Sequence, residues 1–350
     1  MQIGSIGCYK RRPPPRPSPR QSRSGRPLLP VFLVRFWLSL KMTVIVPEPV
    51  HGAEEEKKVS KDESSTQMRM NLVLDGGFVV PENNAFGNSF RDYDRESERK
   101  AIVENFYRKN HIYQTYEFAN KKKAEFAELD RAVMGIWECC ELLHNYVDES
   151  DPDLDEPQIE HLLQTAEAIR RDYPDEDWLH LTALIHDLGK VMLHPTFGEQ
   201  PQWCVVGDTY PLGCAFDENI VYSKYFKENP DYNHPVYSTK LGVYTENCGL
   251  DKVTMTWGHD EYMYWVAKQN NTRLPPEALF IIRFHSFYAM HRSGGYRYLM
   301  NDEDKEMLKW VLIFNKYDLY SKSKVKVNLE DVKPYYQSLI DKYFPEKLRW

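Results

Sequence analysis

The sequence predicts an all-α protein built as a single helical bundle, with room for short peripheral strands. Three observations predict it. Apolar residues recur at spacings of three and four over long windows, and strand-like alternation is scarce. His and Asp side chains fall on the apolar faces of several helices, where a plain core would run on undisturbed.

Taken in order, residues 1–41 carry nine Lys or Arg and no Asp or Glu, in a Pro-, Arg- and Ser-rich composition that cannot build a core. This extension reads either as a targeting segment or as the product of a start upstream of Met42. Its apolar stretch "VFLVRFWLSL" is ten residues long and interrupted by Arg35, too short to span a bilayer. Residues 42–88, with "HGAEEEKKVSKDESSTQ" and "LDGGFVVPENNAFGN", read as a flexible lead-in. The folded helical body is expected over 89–350.

Within that body, "ESERKAIVENFYRKNHIYQTYEFANKKKAEF" and "RAVMGIWECCELLHNYV" predict long helices. "EPQIEHLLQTAEAIRRDYP" follows, with Pro157 in its first turn, Pro174 past its end, and a buried stripe of Ile159, Leu162, Leu163, Ala166 and Ile169. "DEDWLHLTALIHDLGK" opens on acids that favour a helix N-terminus and buries Leu181, Leu184, Ile185 and Leu188. "PPEALFIIRFHSFYAMH" carries Leu279, Ile282 and His285 at a spacing of three. "DEDKEMLKWVLIFNKYDLYSK" sets Leu308, Val311, Leu312 and Phe314 along one side.

Charge and cysteine usage narrow the function. The chain carries a net −7, but outside the basic extension 36 basic residues face 52 acidic ones, a body at −16 that is a poor nucleic-acid binder. No run of eighteen apolar residues marks a membrane span, and no coiled-coil seam calls for assembly, which leaves the oligomeric state open at this point. Six cysteines without a C-x-x-C pair fit a reducing compartment rather than a disulfide framework. With no secretory signal apparent, the expected address is the cytoplasm. The vicinal Cys139 and Cys140 read as packing residues.

The chemistry lies in the polar residues on apolar faces. His161 adjoins Leu162 and Leu163; His186 and Asp187 follow Leu184 and Ile185; His285 follows Ile282; Asp318 lies seven residues after Val311. Any one of these taken alone is a hydrogen-bonded packing residue or a cap. Together they form the order H…HD…D, which resembles the HD superfamily of metal-dependent helical proteins. Two His and two Asp would hold one metal; His259 in "WGHDEYMYWV" and His285 would supply a second, with Asp187 bridging through its two oxygens. Four imidazoles and two carboxylates with open positions suit iron better than magnesium or structural zinc.

The motifs "DESDPDLD", "QTAEAIRRDYPDEDWLHLTALIHDLGK", "PQWCVVGDTYPLGC", "WGHDEYMY", "RFHSFY" and "FNKYDLYSK" then resemble, in one collinear order, the myo-inositol oxygenase family. The resemblance implies a monomeric HD-type fold with a non-haem di-iron site that converts myo-inositol and dioxygen to D-glucuronate. It implies that His161, His186, Asp187 and Asp318 hold the first iron, and that Asp187, His259 and His285 hold the second. It further implies substrate contacts from Arg91, Asp148, Asp151, Lys190, Gly207, Asp208, Ser286 and Lys322, with Lys190 and Asp187 catalytic. Carboxylates accept from ring hydroxyls while Lys and Arg donate to them, which suits a six-hydroxyl substrate. Two other readings stand beside this one: an HD phosphohydrolase, which leaves His285 and the polyol contacts idle, and an inactive HD scaffold, which the full ligand set argues against.

Overall fold

The computed structural model describes residue 83 and residues 89–350, apart from 153–156, 322 and 324. The extension and nearly all of the lead-in fall outside the described residues, as does Lys322. What is described is helical, joined by long irregular segments and 3-10 turns.

The segment read as helical over residues 96–126 forms two helices. α1 (Lys100–Tyr113) ends before Gln114, and α2 (Tyr116–Phe126) restarts because the Thr115 hydroxyl accepts from the Phe118 amide at 3.0 Å. The start of the next segment is not helical either. β1 (Val133–Met134) pairs antiparallel with β2 (Leu348–Arg349), and α3 (Ile136–Leu142) follows only after Gly135. Val133 and Met134 are thus held by the far end of the chain, a partner that local periodicity cannot reveal. Cys139 and Cys140 in α3 are fully buried packing residues, as expected.

The core is the antiparallel pair α4 (Gln158–Asp172) and α5 (Asp177–Ile185). Pro157 stands just before α4, Arg170 and Arg171 lie in its last turn, where cations suit the helix dipole, and Pro174 prevents continuation. Every residue of the expected α4 stripe is buried. α5 is buried all round from Leu179 to Ile185, as befits a central helix. It packs on α7 (Pro276–Phe284) and α10 (Leu329–Tyr343), while α6 (His259–Gln269) packs on α7, and α9 (Asp302–Tyr320) on α4 and α7. A single-turn helix, α8 (Tyr288–His291), follows α7.

Two expectations need correction. α5 does not run through Lys190: it stops at Ile185, Asp187 leaves helical geometry with φ −97° and ψ 1°, and a 3-10 segment spans Leu188–Leu193. The cause is a close crossing. A Cβ on Gly189 would lie 2.1 Å from the His259 carbonyl oxygen, so the chain passes the start of α6 backbone to backbone. In α9, Val311 and Phe314 are buried but Leu308 and Leu312 are only half-buried; the buried side instead runs through Asn315 and Asp318.

Candidate metal centre

The break after α5 assembles the site. His186 ends α5 and Asp187 starts the turn, and residues three apart in 3-10 geometry eclipse, so Lys190 folds back over Asp187 with Nζ 2.8 Å from Oδ2. α4 brings His161 to one side and α9 brings Asp318. His161 Nε2 lies 3.0 Å from Asp318 Oδ1, and His186 Nε2 lies 3.2 Å from the same oxygen. The start of α6 and the end of α7 bring His259 and His285 to the other side.

Asp187 stands between the two imidazole pairs with one oxygen toward each. Its Oδ2 is 3.7 Å from His161 Nε2 and 3.5 Å from His186 Nε2; its Oδ1 is 3.1 Å from His259 Nε2 and 3.4 Å from His285 Nε2. Two clusters therefore share it: His161, His186 and Asp187, and Asp187, His259 and His285, each with donor atoms close enough to hold an ion. Asp318 completes the first.

The imidazoles are turned for ligation. Nδ1 of His186 donates to the Ala183 carbonyl at 2.7 Å, Nδ1 of His259 to Val205 at 2.7 Å and Nδ1 of His285 to Ile282 at 3.1 Å. A carbonyl only accepts, which fixes the proton on Nδ1 and leaves Nε2 as the ligand atom. His186 Nε2 is buried with no hydrogen-bond partner of its own. An orphaned imidazole nitrogen beside two carboxylates is the environment a bound cation satisfies, so the residues fit a pair of metal ions.

Electrostatics agree. Burial alone pushes the Asp187 carboxyl up, but Lys190, His186 and the contacts of His259 and His285 outweigh it and hold the group well below the usual carboxylate range. Asp318 behaves alike: burial raises it and His161 and His186 bring it well below. In the metal-free protein, burial lowers His259 while Asp260 and Asp187 raise it further, to about 10. Both Asp are thus held in the ionised form that ligation needs.

A pocket opens over the centre, and the sequence-predicted contact residues that are described meet there: Arg91, Asp148, Asp151, Lys190, Asp208 and Ser286 line it together with Gly207. All three protons of the Lys190 ammonium are engaged, by Asp187, Asp148 at 2.7 Å and the Gln158 side-chain oxygen at 2.9 Å. Arg91 pairs with Asp208 at 2.7 Å and lies over the Tyr288 ring at 3.5 Å, while Tyr107 donates to Asp208 at 3.1 Å. Gly207 has φ +91°, and a Cβ there would meet Phe106 at 2.7 Å. Arg99 donates to the backbone carbonyls of Asp148 and Asp151, fixing the loop that carries both.

Sequence reasoning missed three groups. Gln158 opens α4 and orients Lys190; nothing local distinguishes it from a surface glutamine. Tyr107 and Tyr288 frame the pocket through contacts over long sequence distance. Asp260 adjoins His259, and its Oδ1 lies 3.0 Å from His259 Nε2, 3.2 Å from His285 Nε2 and 3.2 Å from the Ser286 hydroxyl, while its buried Oδ2 has no partner. The "HD" in "WGHDEY" was a visible signal for this last one.

Residues 100–350 match the family model described as myo-inositol oxygenase. Among curated relatives, "Inositol oxygenase 1" of Arabidopsis thaliana is 69% identical over 279 residues, covering 80% of this chain and 90% of the relative. "Probable inositol oxygenase" of Oryza sativa subsp. japonica is 64% identical, covering 88% of this chain and all of the relative. "Inositol oxygenase" of Sus scrofa is 47% identical, covering 77% and 95%.

Proposed function

The chain belongs to the myo-inositol oxygenase family, and from that premise we propose that it binds two iron ions through the two clusters and cleaves the ring of myo-inositol with dioxygen to give D-glucuronate. The observation that carries the metal assignment is Asp187, whose two oxygens face separate imidazole pairs. His161, His186, Asp187 and Asp318 would hold one ion, and Asp187, His259 and His285 the other. When bound, the iron pair supplies redox chemistry and activates dioxygen; one dioxygen is consumed per glucuronate, one water is released, and the substrate loses four electrons.

The residues of the chain do the rest. Asp148, Asp151 and Asp208 accept from ring hydroxyls; Lys190, Arg91, Ser286 and the Gly207 segment position the ring; Lys322 is proposed from the family resemblance alone. Lys190 sits 2.8 Å from the bridging Asp187 and 2.7 Å from Asp148, so an arriving hydroxyl replaces one of its acceptors and accepts a hydrogen bond from the ammonium, whose charge lowers the hydroxyl's pKa and favours its oxyanion form once a carboxylate takes the proton. Tyr107 and Tyr288 close the wall around the polyol, keeping water from the reacting carbon.

A phosphohydrolase is less well served. The pocket's described cations, Arg91 and Lys190, are both held by carboxylates, and its wall is acidic, which disfavours a phosphate ester. Among the described residues no helix is long and apolar enough to cross a membrane. The described cysteines are free thiols, in keeping with the proposed cytoplasmic address; a monomeric state is proposed with it.

The test is dioxygen uptake by iron-loaded protein on addition of myo-inositol, with glucuronate quantified in the same sample. Equal dioxygen and glucuronate supports the reading. Two bound irons with no uptake, and turnover of a phosphate ester, overturns it.

A further inference from the structure

The two imidazoles of the second cluster sit on different helices, at the start of α6 and just past the end of α7, so their separation depends on how those helices are registered. Two residues beyond His259 is Glu261, and two residues before His285 is Arg283. On a helix two residues turn through about 200°, which puts this second pair on the face of α6 and α7 turned away from the metals. There they meet: Arg283 Nε donates to Glu261 Oε2 at 2.8 Å, and its Nη2 lies 3.3 Å from Oε1. Both side chains are more than nine-tenths buried. Lys123 of α2 approaches Glu261 at 3.2 Å and Asp251 binds Arg283 at 2.9 Å, so each end of the pair has a second counter-charge.

We infer that the Arg283–Glu261 ion pair is the positioning element of the second metal site, a cross-brace that sets the spacing of His259 and His285 from the opposite face of α6 and α7. A forked, two-bond contact fixes helix register more tightly than apolar packing does. The first site depends on the pair less directly: His161, His186 and Asp318 come from α4, the end of α5 and α9, and none of them lies on α6 or α7. The brace therefore separates the two ions: it acts on the second and spares the first. This inference rests on the two-metal reading proposed above.

The structure also supplies a handle. Arg283 lines a side cavity of about 150 Å³ together with Leu279, Phe280 and Asp304, a volume of the size that admits a benzene-like guest. Truncating Arg283 to Ala extends that cavity by a guanidinium-shaped space facing Glu261, so free guanidinium ion can enter and replace the lost head group.

The experiment titrates metal-free full-length protein with Fe(II) under anaerobic conditions, counting ions bound per chain and the affinity of each step, with circular dichroism as the check on fold. In Arg283→Ala the first ion binds as in the unaltered protein and the second at least about tenfold more weakly, in line with other positioning shells of metal ligands. About 10 mM guanidinium restores the second step in Arg283→Ala but not in Arg283→Met, whose side chain fills the space. Should Arg283→Ala not fold, Glu261→Gln keeps the shape, loses the charge, and is expected to weaken the second step alike. A variant that keeps both steps, or loses both equally, overturns the brace. An unaltered protein that binds only one ion overturns the two-metal reading itself, and the brace with it.

Discussion

The two halves of the proposed metal centre share a carboxylate and differ in how the fold holds the rest. The first cluster lies on the central helices: His161 in α4, His186 at the end of α5, Asp318 in α9, with His161 partly open to the pocket. The second is more deeply set: His259, His285 and the neighbouring Asp260 are buried, although both imidazoles still line the pocket, and two helices must be held in register to form it. In the first, the fold's core places the ligands. In the second, a crossing of backbones, an extra carboxylate and a distal ion pair are added to do so. The lesson is that two ions sharing a ligand need not be equally dependent on the rest of the molecule.

That contrast can be broken most sharply by removing one imidazole from each side. His259→Ala should retain one iron, lose the other and lose more than about 100-fold in glucuronate formation, beyond the 10–100-fold typical of changes around a ligand. His161→Ala should disturb the first ion instead. Metal counts alongside dioxygen uptake decide it, and equal loss of both ions in both variants would erase the distinction.

Next in size is Lys190→Met. In metal-free protein it leaves the buried Asp187 and the partly buried Asp148 without their common cation, at a cost of roughly 3 kcal/mol. Bound metal supplies a positive charge to Asp187, so the loss should shrink in loaded protein. Urea unfolding with and without Fe(II) measures both values.

The second cluster also binds a proton that an arriving metal ion must displace. His259 is raised from its ordinary 6.5 to about 10. Stabilisation from its protonated form is therefore complete below about pH 6.5 and disappears as pH rises through 10. Uptake of the second ion should release a proton across this window, so its affinity should climb by up to about tenfold per pH unit between 6.5 and 10. The smallest effect follows from Asp260→Asn: with the carboxylate gone, part of the support for that proton is lost, and fewer protons should be released per second-site ion at pH 7.5. Metal titration in weakly buffered solution reads both.

The proposed ligands were legible in the sequence because helical spacing put imidazoles and carboxylates where leucine would be expected. Type and burial alone do not identify them. His180 is as buried as His186 and six residues from it, yet both of its ring nitrogens are occupied, by Tyr335 at 2.7 Å and the Tyr173 carbonyl at 2.7 Å. His111 is likewise engaged on both sides, by Asn110 and the Val221 carbonyl. His186, His259 and His285 differ in having one nitrogen tied to a backbone carbonyl and the other facing carboxylates brought from residues tens of positions away. The same reason hid the end of α5, the pairing of Val133 with Arg349, and the role of Gln158: each is set by a contact at long sequence distance.

The backbone crossing at Gly189 bears on how the molecule comes together. About seventy residues separate it from His259, and the cost of closing so long a loop must be met before the contact rewards it. α4 and α5 are joined by a short connection and can pair early, presenting His161, His186 and Asp187 before α6 has arrived. A metal ion present during synthesis would meet a partly built site first and the shared carboxylate's second face last. The order of the chain thus favours filling the first site before the second.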